Sequence, residues 1–433
     1  MATSTQSLPG SSGAFEEATY RKVSWRLVPL LLLCYVVAYL DRVNVGFAKL
    51  QMASDLNLSD TVYGLGAGIF FGYFLFEVPS NIILHRVGAR VWIARIMATW
   101  GVISILTMFV TTPTMFYVMR FLLGVAEAGF FPGVILYLTY WYPAHRRGRM
   151  TTFFMTAVAL SGVIGGPLSG FILKAFDGIS GWHGWQWLFL LEGIPSVLVG
   201  VVVFLKLDER IEKANWLTDD EKALLTRNVA AEEATKEDPP LGAVMASPRV
   251  WLMALIYFSF VMGLYGVGFW LPTIIKATGV TDTLMIGLLS AIPYAAAVVA
   301  MILIARSADR HRERRWHVAI PAAIGALGLV LSVIWAHQTA LAMLGLTLAT
   351  IGILTTLPLF WSLPTAFLGG TAAAAGIAMI NSIGNLAGFL SPYMMGWLKQ
   401  ATGANDSGMY MLAGFLVLGG LLALSVPKRL VDK

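Results

Sequence analysis

Twelve stretches of roughly twenty apolar residues, each nearly free of Asp, Glu, Lys and Arg, run through this 433-residue chain and set most of what it can fold into. In hydrocarbon every backbone N–H and C=O must find its partner within the chain, and for segments of this length the helix is the element that does so. The runs lie near residues 27–49, 62–84, 91–110, 114–138, 150–175, 186–207, 249–275, 283–305, 315–335, 339–361, 371–396 and 408–427. Only 12% of residues are charged, about half the ~25% usual for soluble domains. Lipid, not water, therefore faces most of the surface. The expected fold is an all-α, polytopic membrane protein with twelve transmembrane helices in two pseudo-symmetric six-helix bundles.

The division into two comes from the polar segments. Residues 208–248 interrupt the apolar runs with more acidic than basic side chains, and Thr218-Asp219-Asp220-Glu221 has the spacing of a capping box ahead of a short surface helix. The basic stretch from His85 to Arg90 after the second run has a counterpart from Arg306 to Arg315 after the eighth. Six runs, a linker and six runs with the same loop chemistry read as an internal repeat, the layout in which two bundles rock about a central site. The expected organisation is a tail at 1–26, bundles at 27–207 and 249–427, a linker at 208–248 and a tail at 428–433. Of the 30 lysines and arginines, Lys49, Lys174, Lys276 and Lys399 fall on one side, Arg42 and Arg120 within spans, and the rest on the linker side. That asymmetry places linker and termini in the cytoplasm of a multi-pass inner-membrane protein. It gives no sign of nucleic-acid binding. Cys34 is the only cysteine, so no intrachain disulfide forms, and the first run, lacking a cleavage site, reads as a retained span.

Charges inside spans mark function by default. Six stand out in the first half: Asp41, Arg42, Glu77, Arg120, Glu127 and Glu192. The second half offers neutral groups instead, with Asn381 and aromatic residues such as Tyr265, Trp361 and Tyr393 as pocket candidates. Arg120 and Glu127 are seven residues apart, on similar faces of one helix about 10 Å apart along its axis. An arginine fork matches a carboxylate in bidentate fashion. A buried one calls for a carboxylate from the protein, the substrate or each in turn. Asp41 and Glu127 can fill that part, which is the minimal chemistry for coupling a proton to an anion. The same residues could instead tie helices together, Asp41 to Arg120 or Arg42 to Glu127. Glu77 and Glu192 fit gating or packing equally well. Gly165-Gly166-Pro167 within the fifth run suggests close helix approach and a bend. No nucleotide-binding loop, compact metal-ligand cluster or Ser-His-Asp arrangement points to an enzyme, and no cofactor is expected.

The segments YLDRVNVGFA, RFLLGVAEAGFFPGVILYLTYWYP and NSIGNLAGFLSP resemble the major facilitator superfamily and, within it, the anion:cation symporter family. GLGAGIFFGYFLFEVPSNIILHRVGARVWIARIM and GWQWLFLLEGIPS look like bacterial tartrate, phthalate and hydroxyphenylacetate-type permeases. The resemblance implies proton-coupled uptake of a small organic anion by a monomer in the lipid bilayer. It makes Asp41 and Glu127 the protonation sites and Arg42, Arg120, Tyr39, Tyr73 and Asn381 the anion-binding set. Arg86, Arg90, Asp309 and Arg310 fall in the loops where the superfamily carries its conformational lock. In the first of these, Asn81 and His85 stand where glycine and aspartate are common. A tartrate-like hydroxy dicarboxylate is the first expectation for the substrate. Aromatic carboxylates and sugar acids come next, and a proton-driven exporter on the same fold is the remaining alternative.

Overall fold

The computed structural model describes residues 9–67, 70–143, 146, 150, 153–233, 246–311, 313–366 and 370–431. Among these residues all regular structure is helical: α1 (Pro9–Asp55), α2 (Asp60–Ala67), α3 (Phe70–Val87), α4 (Ala89–Leu106), α5 (Pro113–Glu127), α6 (Phe130–Thr139), α7 (Ala157–Ala175) and α8 (Gly184–Lys206). The linker helix α9 (Asp219–Glu233) follows, then α10 (Pro248–Ala277), α11 (Thr283–His311), α12 (Arg315–Ile334), α13 (Thr339–Phe360), α14 (Gly370–Thr402), α15 (Asp406–Ser425) and the short α16 (Lys428–Val431). Among the described residues ten helical segments are long and apolar enough to cross a membrane, or eleven when the bent pair Asp60–Glu77 and Pro79–Val87 is counted as one span. α14, at 33 residues, is longer than any bilayer core requires.

Three elements depart from the simple spans expected. α1 is 47 residues long, about 70 Å, because its polar start finds partners on the linker side. There Lys22 Nζ lies 2.7 Å from Glu221 Oε2, Asn228 donates to the Tyr20 hydroxyl, and the hydroxyls of Ser24 and Tyr142 share a hydrogen bond. The second span bends by 58° at Pro79, where a missing N–H opens the helical ladder. The fourth breaks between α5 and α6, since Gly129 takes φ +85°, a left-handed value that favours glycine. Any Cβ there would also strike the Ser80 side chain. By contrast α7 runs unbroken through Pro167, so the bend expected there does not interrupt the helix. The capping box at the linker helix forms as the spacing predicts: Thr218 N donates to Glu221 Oε2 at 2.8 Å, and Glu221 N to Thr218 Oγ1 at 3.3 Å.

α1, α4, α7 and α8 pack together, as do α10, α12, α13 and α15. The two halves of the chain meet along α7 with α11, α2 with α14, and α1 with α10. Glycine makes these seams close: Gly166 lies on Gly287, and Gly64 on the backbone of Pro392 and Tyr393. Further ties cross at the end opposite the linker, where Lys174 pairs with Asp282, Thr61 N donates to Gln400 Oε1 at 3.2 Å and Lys276 Nζ to the Leu50 carbonyl at 3.4 Å. The halves are thus fastened to one another at the far end.

Candidate functional site

Successive residues on a helix point about 100° apart, and α1 uses this to send Arg42 and Asp41 to different neighbours. Arg42 faces the seam between the halves. It is 6% exposed and forms an ion pair through Nη2 with Glu127, at the last turn of α5. Its Nη1 donates to the Tyr265 hydroxyl of α10 at 2.8 Å, so the guanidinium bridges the halves. The rings of Tyr39 and Tyr73 flank it, with centroids 5.4 and 5.9 Å from Cζ. This arrangement lowers the cost of burying the cation through a carboxylate, a hydroxyl and ring faces. A ligand carboxylate that displaces Glu127 meets the same fork.

Asp41 turns the other way. It is completely buried, accepting from Ser104 Oγ of α4 at 3.0 Å and from Ser196 Oγ of α8. One turn earlier on α8, Glu192 accepts from Ser169 Oγ of α7 at 2.7 Å. Asn44 lies against it on the Asp41 side of α1. The serines carry no sequence signal of their own, since small hydroxyls are frequent at lipid-phase helix contacts.

Arg120 has different partners from Arg42. It is 1% exposed; Nε donates to the Gly66 carbonyl at 3.3 Å, and Nη2 to the carbonyls of Ala67 at 3.1 Å and Arg42 at 3.4 Å, while Nη1 is buried without a hydrogen bond among the described residues. The first two are carbonyls of α2. Arg120 thereby fastens α2 to α1, and Arg42 is the guanidinium that faces the seam.

The second half brings neutral groups to the same level. Asn381 Nδ2 donates to Glu77 Oε1 at 3.2 Å and Ser382 Oγ to Glu77 Oε2 at 3.5 Å. Glu77 therefore links the halves one helical turn beyond Tyr73. Trp361 packs on Tyr257 with centroids 4.9 Å apart. Tyr257, not singled out from sequence, also stacks on Phe360; it is eight residues before Tyr265 and so near the same face. Tyr393 lies elsewhere, stacked on Phe389 beside the α2 contact at the far end, and so is not brought to Arg42. Among the described residues, every buried charged side chain within a span belongs to the first half.

Lys49, on the side away from the linker, is 7% exposed. Its Nζ lies 3.5 Å from the Trp270 ring centroid and 2.6 Å from Asp60 Oδ1, while Lys399 of the other half reaches the same oxygen at 3.3 Å. Two lysines on one carboxylate thus add to the closure at the far end. In the linker-side loops Arg86 is exposed and Arg90 lies over the Phe204 ring. Gly88, at φ +98°, leaves room for Glu209, whose carboxyl is held below its ordinary range by the Lys213 hydrogen bond at 2.8 Å, with Arg90 and Arg210 adding to it. An acidic group at this loop is thus supplied by the linker. Arg310 is exposed, and the Asp309 side chain lies outside the described residues.

Three comparisons bear on this geometry. The sequence model described as Major Facilitator Superfamily matches residues 31–392. A Pseudomonas putida protein provisionally named the metabolite transport protein NicT is 50% identical over 420 residues, 96% of each chain. An Agrobacterium vitis protein provisionally named a tartrate transporter is 51% identical over 416 residues, 95% of each. In fold, the chain matches the Escherichia coli xylose transporter XylE in a partially occluded inward-open conformation with TM-score 0.75 at 15% identity, over 93% of this chain and 98% of that one.

Proposed function

The chain belongs to the Major Facilitator Superfamily, and from that premise we propose that it imports a small organic carboxylate together with protons across the bacterial inner membrane. α14 serves as the twelfth span, the helices on either side of the linker act as two six-helix bundles, and the basic linker end faces the cytoplasm. The far end, closed by the glycine seams and by Lys49, Asp60 and Lys399, is then the outer face, so the site is reached from inside.

The observation that carries the reading is Arg42: a buried guanidinium held at once by Glu127 of its own half and Tyr265 of the other. A substrate carboxylate takes the place of Glu127 on the fork, and the released Glu127 takes up a proton. Binding and protonation are thereby linked, and because Tyr265 sits on the opposite bundle the same event bears on how the halves meet. Asp41 is the second protonation site. Tyr39 and Tyr73 frame the carboxylate, while Glu77, Asn381 and Ser382 receive the hydroxyls of a hydroxy acid. A tartrate-like hydroxy acid is the first substrate to try, supported by the relative named for tartrate. The rings of Tyr257, Phe360 and Trp361 favour aromatic carboxylates as the second.

Counterflow in proteoliposomes with radiolabelled tartrate, competed by sugar acids and aromatic acids, tests this directly. Exchange of at least one of these acids, with accumulation that collapses on adding a protonophore, is expected. Accumulation that persists without a proton gradient would remove proton coupling. Absence of exchange with every acid, in protein that is folded and monodisperse, would remove the substrate class.

A further inference from the structure

The first bundle holds a second polar cluster that touches neither Arg42 nor the other bundle's polar groups. Asp41 and Asn44, three apart on α1, face α8, where Ser196 and Glu192 are four apart, so both pairs lie along one seam. Asp41 binds Ser104 and Ser196; Glu192 binds Ser169. Among the described residues the second oxygen of Glu192 and the Asn44 amide are buried without a well-formed hydrogen bond, with Asn44 lying against Glu192 and the two carboxyls within electrostatic reach of each other. Glu192 is 2% exposed and Asn44 1%, and the Arg120 guanidinium acts electrostatically on Asp41. Burying a carboxyl in such company is expensive unless it carries a proton. A packing role alone would be served better by an apolar side chain.

The seam also has a direction. Beyond Asn44 the same face of α1 carries Gln51, whose Oε1 accepts from Trp185 N at 3.0 Å, and Asp55, which accepts from Trp185 Nε1 at 2.6 Å and lies 3.6 Å from His183 Nδ1. Polar groups spaced along one stripe thus lead from the far-end surface towards Asp41, with Ala48 as the small apolar position between. Ser169, the partner of Glu192, sits between Gly166 and Gly170, the glycines that seat α7 against α11 of the other bundle.

We infer that Glu192 is the proton-exchange partner of Asp41, forming with it a two-carboxyl relay inside the first bundle, apart from the anion path. This rests on the proton-coupled reading of the site. The step is a transfer between carboxyl oxygens: the O–H bond on Glu192 breaks, one forms on Asp41, and the negative charge moves from Asp41 to Glu192. Because Ser169 rides on the seam with the second bundle, separation of α7 from α11 alters the hydrogen bond that Glu192 accepts. Proton delivery is thereby tied to which face is open.

The test compares Glu192→Gln, Glu192→Asp and Asp41→Asn in proteoliposomes with labelled tartrate, alongside an infrared titration of carboxyl C=O bands in the purified protein without substrate. Glu192→Gln is expected to lose gradient-driven accumulation to the level of Asp41→Asn while exchange persists, and Glu192→Asp to restore part of the accumulation. In the infrared, Glu192→Gln should remove one band and shift the pH at which the Asp41 band titrates. Accumulation equal to wild type in Glu192→Gln overturns the relay, as does parallel loss of exchange and accumulation in folded protein, which marks a packing role. An Asp41 band that titrates as in wild type also overturns it. If wild-type protein fails to exchange tartrate, the substrate reading falls, and the infrared titration still decides Glu192.

Discussion

Arg42 and Asp41 are adjacent in sequence and of opposite charge, yet they inhabit different surroundings. Arg42 reaches across the seam to Tyr265 and is ringed by tyrosines, whereas Asp41 is sealed among the serines of its own half. One helix therefore keeps a guanidinium facing the seam and a carboxyl sealed within its own half, separated by little more than the α1 backbone. The lesson is that neighbouring opposite charges within a span need not neutralise one another. A 100° turn per residue separates them more effectively than distance along the chain.

The harshest way to break this contrast is to remove each charge in turn. Arg42→Ala is expected to abolish binding of any carboxylate, because Glu127 then lies buried without its cation and the fork is gone; isothermal titration or substrate-induced thermal shift reads the loss. Asp41→Asn should leave that binding in place while gradient-driven accumulation fails. Equal loss of binding in both variants would mean that the two faces form one site after all. Glu127→Gln falls between them, since it empties the carboxylate from the fork itself. It should raise affinity for the anion at neutral pH and weaken its dependence on pH, as no protein carboxylate then competes for Arg42.

Arg120 sharpens the comparison from outside. With its guanidinium on three backbone carbonyls, Arg120→Ala is expected to cost about 3 kcal/mol of stability or more, because hydrogen bonds from a charged donor contribute roughly 1.5–3 kcal/mol each. Thermal unfolding in detergent measures it. Substrate affinity in whatever protein remains folded should stay near wild type. A selective loss of affinity with an unchanged melting temperature would return Arg120 to the anion site.

The spans were legible because lipid dictates composition over each run, and the concentration of charge in one half followed from the same rows. What escaped the sequence depends on partners contributed by other helices. The targets of Arg120 are backbone carbonyls of α1 and α2, and no side-chain pattern announces them. Lys49 lies near the end of an apolar run, where a lysine usually reaches for water. Its burial is set by Trp270 and Asp60, one of them in the other half. The break after Glu127 had a visible cue in Gly129, yet the apolar pattern continued on both sides and concealed it. Tyr393 carried the same aromatic signal as Tyr265, and only the packing of α14 on α2 sends it to the far end.

The finest test exchanges single hydroxyls on the two faces. Tyr265→Phe keeps the ring stacked on Phe269 and deletes the bond that Arg42 sends across the seam. That bond, from a charged donor to a neutral acceptor, contributes about 1.5 kcal/mol, or roughly tenfold in the balance between closed and separated halves. Accessibility of a cysteine placed at the far end should rise accordingly, with a modest change in anion affinity. Ser104→Ala removes one of two donors to Asp41 and leaves Ser196 in place, so its cost is smaller, about 1 kcal/mol. It should act on the pH dependence of accumulation without altering far-end accessibility, because Ser104 and Asp41 lie within one half. If Ser104→Ala opened the far end as Tyr265→Phe does, the two compartments of α1 would be mechanically joined, and their separation would be one of position alone.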